Sequence, residues 1–283
     1  MTVPAVERSP VIEPLFTHLL VTSMRVERIE AGPKDKAFDT PFRHSDAGKC
    51  SRYLGLKLAE IPFSSEFDLA ADWVTSVGTT LHEMWQSALL AQYPDAQIEL
   101  KVRNGDLTSG HIDAVIDLHG IRFSYELKSI NGYGFSKSVG VMKQHGGALV
   151  PPEGPKVPHI IQASLNALGC DADYAVLGYL ALESISVQVA DNLGLGELDR
   201  IMAEWVLTRD EYEPIARAEL ARLADIRDEV AAGSLPMASA IADDWSVVWL
   251  DPNKNFRDWR CWYCPYLDKC KTLAPLDIPL SEV

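Results

Sequence analysis

Apolar positions recur at helical spacing over residues 68–93, DLAADWVTSVGTTLHEMWQSALLAQY, and the YPD that follows ends the pattern. Three strand-like runs come next, over 97–103, 107–118 and 121–130, the last two separated only by His119 and Gly120. Residues 131–158 are rich in Gly and Pro and read as a long loop. PHIIQASLNALGC then predicts a helix, and 174–182 an apolar strand. The stretch 197–232, rich in Ala, Leu, Glu and Arg, predicts a long helix broken near Pro214. Residues 1 to 40 are Pro-punctuated and read as an extended arm or short helices. A meander followed by a helix and another strand predicts an α/β core, a mixed sheet flanked by helices.

With His119 and Gly120 as a two-residue loop, Leu118 faces Ile121, Asp117 faces Arg122 and Asp113 faces Glu126. Alternation puts His111, Asp113, Val115, Asp117, Arg122, Ser124, Glu126 and Lys128 on one face, which is nearly all polar. Asp117 opposite Arg122 is favourable. Asp113 opposite Glu126 is not, unless a positive charge neutralises the pair. Magnesium or a similar hard cation prefers oxygen ligands and suits two carboxylates. A solvated sheet face with weak repulsion is the plainer alternative.

The chain has 283 residues, 47% hydrophobic and 23% charged, which suits one compact globular body with a small subdomain. No apolar run approaches the roughly 20 residues that cross a bilayer, and the start lacks the order of a secretion signal, so a cytoplasmic protein with no membrane partner is expected. A net charge of −14 runs against phosphate binding unless positive potential is gathered along one groove. Candidates for such a groove are Arg43, Lys49, Arg52, Lys57, Lys137, Lys143, Lys156, Lys254, Arg257 and Arg260.

Cysteines occur at Cys50, Cys170, Cys261, Cys264 and Cys270. In a reducing compartment a metal site is expected rather than disulfides. CWYCPYLDKC, a C-x2-C-x5-C pattern, supplies three thiolates and leaves a fourth ligand elsewhere; zinc and iron both suit such a set. Cys170 reads as a buried spectator. Trp259, Trp262, Tyr263 and Tyr266 interleave these cysteines, either to pack around the site or to stack on a single strand.

In combination these motifs resemble the RecB-like branch of the PD-(D/E)xK nucleases over residues 45 to 270. GTTLH matches the family's GxxxH, GHID its GxxD, and ELK its ExK. The resemblance implies a restriction-endonuclease-like sheet and a magnesium or manganese site of His82, Asp113, Glu126 and the Leu127 carbonyl. It implies Asp113, Glu126 and Lys128 as the catalytic set. The family's QxxxY is met by QASLN, with Gln162 as a substrate contact and Asn166 at the tyrosine position.

SDAGKCSR resembles the early SxxxxCxR of the iron-sulfur members, the CRISPR-associated Cas-four type found also in phages. That resemblance implies a four-iron, four-sulfur cluster on Cys50, Cys261, Cys264 and Cys270, with zinc as the alternative, and places Arg52 among the substrate contacts. It divides the chain into an N-terminal segment (1–66), a nuclease core (67–195) and a C-terminal tail (196–283), the two outer parts forming the cluster subdomain. The implied activity is exonucleolytic and endonucleolytic hydrolysis of DNA, chiefly single-stranded ends. The alternative is a silent DNA-end-binding subunit of a recombination or CRISPR adaptation complex; the partners expected are DNA and either a second copy of the chain or proteins of such a complex. The 131–158 loop would serve as a mobile gate over the substrate.

Overall fold

The computed structural model describes residues 40–64, 69–141, 149, 151–237, 264–272 and 278–279. Its main sheet contains β1 (Phe42–Arg43), β2 (Gln97–Asn104), β3 (Thr108–Leu118), β4 (Ile121–Ile130), β5 (Tyr174–Ala181) and β6 (Met202–Thr208). The helices are α1 (Ser51–Leu58), α2 (Leu69–Gln92), α3 (Gly132–Val139), α4 (Val157–Gly169), α5 (Val187–Leu193), α6 (Arg209–Ala231) and α7 (Leu267–Thr272). A short ribbon pairs β7 (Ser234–Leu235) with β8 (Ile278–Pro279). The expected mixed α/β sheet flanked by helices is what the chain forms. Among the described residues no helix is long and apolar enough to cross a membrane.

The β3–β4 hairpin has the expected register, Leu118 opposite Ile121 and Asp117 opposite Arg122. Its loop, His119 and Gly120, holds φ values of 53° and 81°, the doubly positive geometry that matches the strands' twist. Beyond β4 the sheet changes sense: β5 runs parallel to β4, and β6 antiparallel to β5. A parallel neighbour needs a crossover, and the segment carrying α3 and α4 supplies it.

Two layers cover the hairpin. Trp85 and Leu89 of α2, and Tyr93 just beyond its end, pack on Ala114, Ile116, Tyr125 and Leu127, with Trp85 stacked on Tyr125 at 4.7 Å. On the other face α4 lies across β2, β4 and β5 and is backed by α6. The hairpin's polar face, for which a solvated surface was the plainer alternative, is therefore largely buried: Val115, Ser124 and Glu126 are each at most 2% exposed.

Two expectations change. The stretch after β4 is not loop throughout, because α3 forms there. Asn131 caps it by accepting the Gly134 N–H at 2.7 Å, Phe135 anchors it in the core, and Gly140 ends it at φ 77°. The long helix expected over 197–232 starts only at Arg209. Before it, β6 alternates inward Ala203, Trp205 and Leu207 with exposed Glu204, Val206 and Thr208, a period of two that pairs with β5. Pro214 does not break α6. The carbonyl it deprives is that of Asp210, in the exposed first turn, where water can serve it.

Candidate active site

The site lies where the sheet opens. Strand β2 occupies one edge of β3 from Thr108 to Val115, so β1 and β4 must share the other edge. There β1 pairs with Thr108 and Ser109, and β4 pairs only from Ala114 onward. Among the described residues, Gly110 to Asp113 lie between them without a strand partner on that edge. The β2 side is disturbed at the same level. Pairing skips Glu99, opposite Asp113, whose φ of 51° departs from strand geometry. Gln86 of α2 bridges the break, donating to Glu99 Oε1 and to the Asp113 carbonyl.

Asp113 and Glu126 therefore do not form the flat cross-strand pair expected of them. The ladder ends one step earlier, at Ala114 opposite Tyr125, and each carboxylate takes donors of its own. Asp113 Oδ2 accepts the Leu127 N–H at 2.7 Å, and its Oδ1 lies 3.4 Å from His82 Nδ1. Glu126 accepts from Gln162 Nε2 at 2.7 Å, from Asn166 Nδ2 at 2.6 Å and from Lys128 Nζ at 2.5 Å. Lys128 in turn donates to Gln162 Oε1 at 3.1 Å. The physical reason is repulsion: two anions side by side lose less when each is separately hydrogen-bonded.

Electrostatics mark the same place. Glu126 is 2% exposed; burial pushes its carboxyl well above the usual range against the pull of Lys128, and Asp113 adds to the rise. Burial alone would lower the Lys128 ammonium, but Glu126 and Asp113 hold it above its ordinary value. His82 is raised, first by its hydrogen bond to Asp113. Two carboxylates thus share one lysine and one histidine in a largely buried place, a charged cluster set against the sheet.

Motif glycines have local reasons. A Cβ on Gly78 would stand 3.2 Å from Ser129 Oγ, so its absence lets α2 approach β4 a turn before His82. A Cβ on Gly110 would stand 2.6 Å from the ring of His44, which fills the space beside the unpaired stretch. His44 and Asn104, both bonded into this region, carry no sequence pattern that would have singled them out.

Other expected residues are dispersed. Arg52 is 1% exposed, its side chain turned inward and bonded to the Pro236 carbonyl and to Cys270. Lys49 and Lys57 are both paired with buried Asp46, at 3.0 and 2.5 Å, and Lys137 with Glu153 at 2.9 Å. Burial lowers Lys156. Lys143, Lys254, Arg257 and Arg260 lie outside the described residues, as do Trp259, Trp262 and Tyr263. Tyr266 is buried and donates to the Ile61 carbonyl at 3.0 Å, its ring edge-on to Tyr53 and Phe63.

Cys50 precedes α1, while Cys264 and Cys270 bracket the start of α7; the three thiols lie within electrostatic reach of one another. Burial raises Cys264, and it pushes Cys270 up to about 11, eased by Arg52 and reinforced by Cys50 and Cys264. Cys261 falls outside the described residues. Cys170 sits apart, at the end of α4, its Sγ directed to the Ala167 carbonyl. Among the described residues no three His, Cys, Asp or Glu side chains stand close enough together to hold a metal ion as they are.

No protein-family model and no curated protein matches this sequence. Among solved structures, that of SSO0001 is similar at a TM-score of 0.47 and 15% identity, covering 93% of this chain and 98% of its own. A phage-related exonuclease from Haemophilus somnus 129PT is similar at 0.43 and 13%, covering 64% and 81%. Likenesses this distant decide nothing about chemistry, which has to come from the chain's own residues.

Proposed function

We propose that this chain is a metal-dependent nuclease of the RecB-like PD-(D/E)xK kind, an exonuclease acting on single-stranded DNA ends. The observation that carries the reading is the Glu126–Lys128 pair, a buried carboxylate held by a half-buried ammonium, beside Asp113 at a break in the sheet's pairing. A fold stabilises itself poorly with buried charge, and such groups cluster where chemistry needs them.

In donor type the set suits a magnesium or manganese ion: carboxylate oxygens of Asp113 and Glu126, the Leu127 carbonyl and the His82 imidazole, side chains that would have to close around it. When bound, the ion would polarise the scissile phosphate and acidify an attacking water. Lys128, held charged by its carboxylate neighbours, supplies a compact ammonium to the charge that grows on the phosphate. Gln162, bonded to both Glu126 and Lys128, orients the two members of the pair.

The chemistry of Cys50, Cys264 and Cys270, three half-buried thiols near one another, suits a thiolate-bound centre completed by Cys261. We assign it as a four-iron, four-sulfur cluster, zinc being the other metal that thiolates of this spacing take. Its role would be to tie the segment before α1 to the C-terminal tail.

A second reading, a DNA-end-binding subunit that does not cut, draws on the three donors that already occupy Glu126. The separating experiment is cleavage of end-labelled single-stranded DNA with manganese by anaerobically purified protein, beside Glu126→Ala and Lys128→Ala. Cutting by the intact protein alone supports the nuclease. DNA binding without cutting, with the metals present, supports the second reading.

A further inference from the structure

A buried polar chain runs into Glu126 through Asn166 from His44 and Asn104, two residues that no motif contains. It begins at the Leu165 carbonyl, which accepts from Asn104 Nδ2 at 3.0 Å. The same amide nitrogen lies 3.0 Å from His44 Nε2. On the far side of the ring, His44 Nδ1 is 2.6 Å from Asn166 Oδ1, and Asn166 Nδ2 is 2.6 Å from Glu126 Oε2. His44 and Asn166 are 1% and 0% exposed, so water does not share these bonds.

The direction of every bond is forced. A carboxamide nitrogen can only donate, so His44 Nε2 must accept from Asn104. A neutral ring then carries its proton on Nδ1 and donates to Asn166 Oδ1. That turns the Asn166 NH2 toward Glu126, which can only accept when ionised. Reversing either amide would set oxygen against oxygen at Leu165 or at Glu126. Burial keeps the ring neutral, lowering its pKa to about 4, and Gly110 makes room for it.

We propose that His44 is a positioning residue for Glu126: acting through Asn166, and locked in one tautomer by Asn104, it holds the carboxyl group in place for a divalent cation. This rests on the metal-dependent reading above and adds residues from the turn after β1, from β2 and from α4. Without the Asn166 donor, Glu126 keeps its contacts to Gln162 and Lys128 but loses the bond that fixes Oε2. Partners that orient a metal ligand are typically worth about 10- to 100-fold in metal affinity.

The test is a double-mutant cycle read by manganese binding calorimetry on the full chain: wild type, His44→Phe, Asn166→Ala and both together. His44→Phe is expected to weaken binding about 10-fold in the wild-type background and to have no further effect once Asn166 is gone. An equal penalty in both backgrounds, or none in either, overturns the proposal while leaving the metal site standing. A wild type that binds no manganese removes the metal-dependent reading, and the proposal with it. The wild-type protein gives an independent check that needs no buried substitution. Nitrogen-15 spectra at neutral pH must show His44 protonated on Nδ1, and an Nε2-protonated ring overturns the proposal.

Discussion

The Leu127 N–H donates to Asp113 Oδ2 at 2.7 Å, across the step where β3 and β4 stop pairing. A side chain here replaces a backbone acceptor and leaves Asp113 Oδ1 facing His82. Removing the carboxylate separates its two jobs. Asp113→Ala strands a buried N–H and is expected to cost about 1–3 kcal/mol of stability. Asp113→Asn, which can still accept through its oxygen, should cost clearly less. Both variants should lose manganese binding, and urea unfolding beside calorimetry reads the split. Equal stability for both would mean that the Leu127 bond contributes nothing.

The acid side of the stability profile should carry the signature of His44. Its folded pKa is lowered to about 4 from 6.5, so below pH 6.5 the unfolded chain binds a proton that the folded one refuses. Stability conferred by the neutral ring is complete above pH 6.5 and declines as pH falls toward 4, at up to about 1.4 kcal/mol per pH unit. Subtracting the His44→Phe profile from that of the wild type removes most of what other groups contribute. The difference should fall across this window, and a flat difference would show that the ring titrates normally.

The hairpin turn is suboptimal. His119 holds φ 53° in an exposed loop, a conformation that asparagine tolerates better. His119→Asn should stabilise the protein by about 0.5–1 kcal/mol, leave manganese binding unchanged and raise the denaturation midpoint.

Gly110→Ala should do the reverse. Its new methyl would meet the buried His44 ring at 2.6 Å, and the backbone that would have to yield belongs to the unpaired stretch beside Asp113. Overpacking of this kind costs about 1–3 kcal/mol. Manganese affinity should fall as well, because the displaced ring is bonded to Asn166.

The cysteines make a prediction of their own. Protein purified without oxygen should contain iron that Cys50→Ser, Cys264→Ser and Cys270→Ser each deplete and Cys170→Ser does not, by metal analysis and visible absorption. Zinc in place of iron would keep the ligand set and change the metal. Equal content in all four variants would dismiss the site.

The hairpin was legible because a two-residue turn and strict alternation leave one register, and that register brought Asp113 level with Glu126. What the two residues do there was not, since alternation says nothing of where a ladder ends. Helix α3 hid behind three glycine and serine positions, GYGFS, whose weak propensity is outweighed by the Asn131 cap and the buried Phe135. Strand β6 was absorbed into the helix-forming run that follows it. His44, Asn104 and Asn166 come from three distant parts of the chain, and only packing brings them together.

The parallel pairing of β4 with β5 sets an order of assembly. The hairpin can form as soon as it leaves the ribosome, but Gln162 and Asn166 reach Glu126 only after the crossover has been made and α4 has docked. Until then the Glu126 carboxyl stands in water and ionises like any other glutamate. Its unusual proton affinity is acquired late, when the last layer closes over it, so a nascent or partly unfolded chain carries the motif without its chemistry.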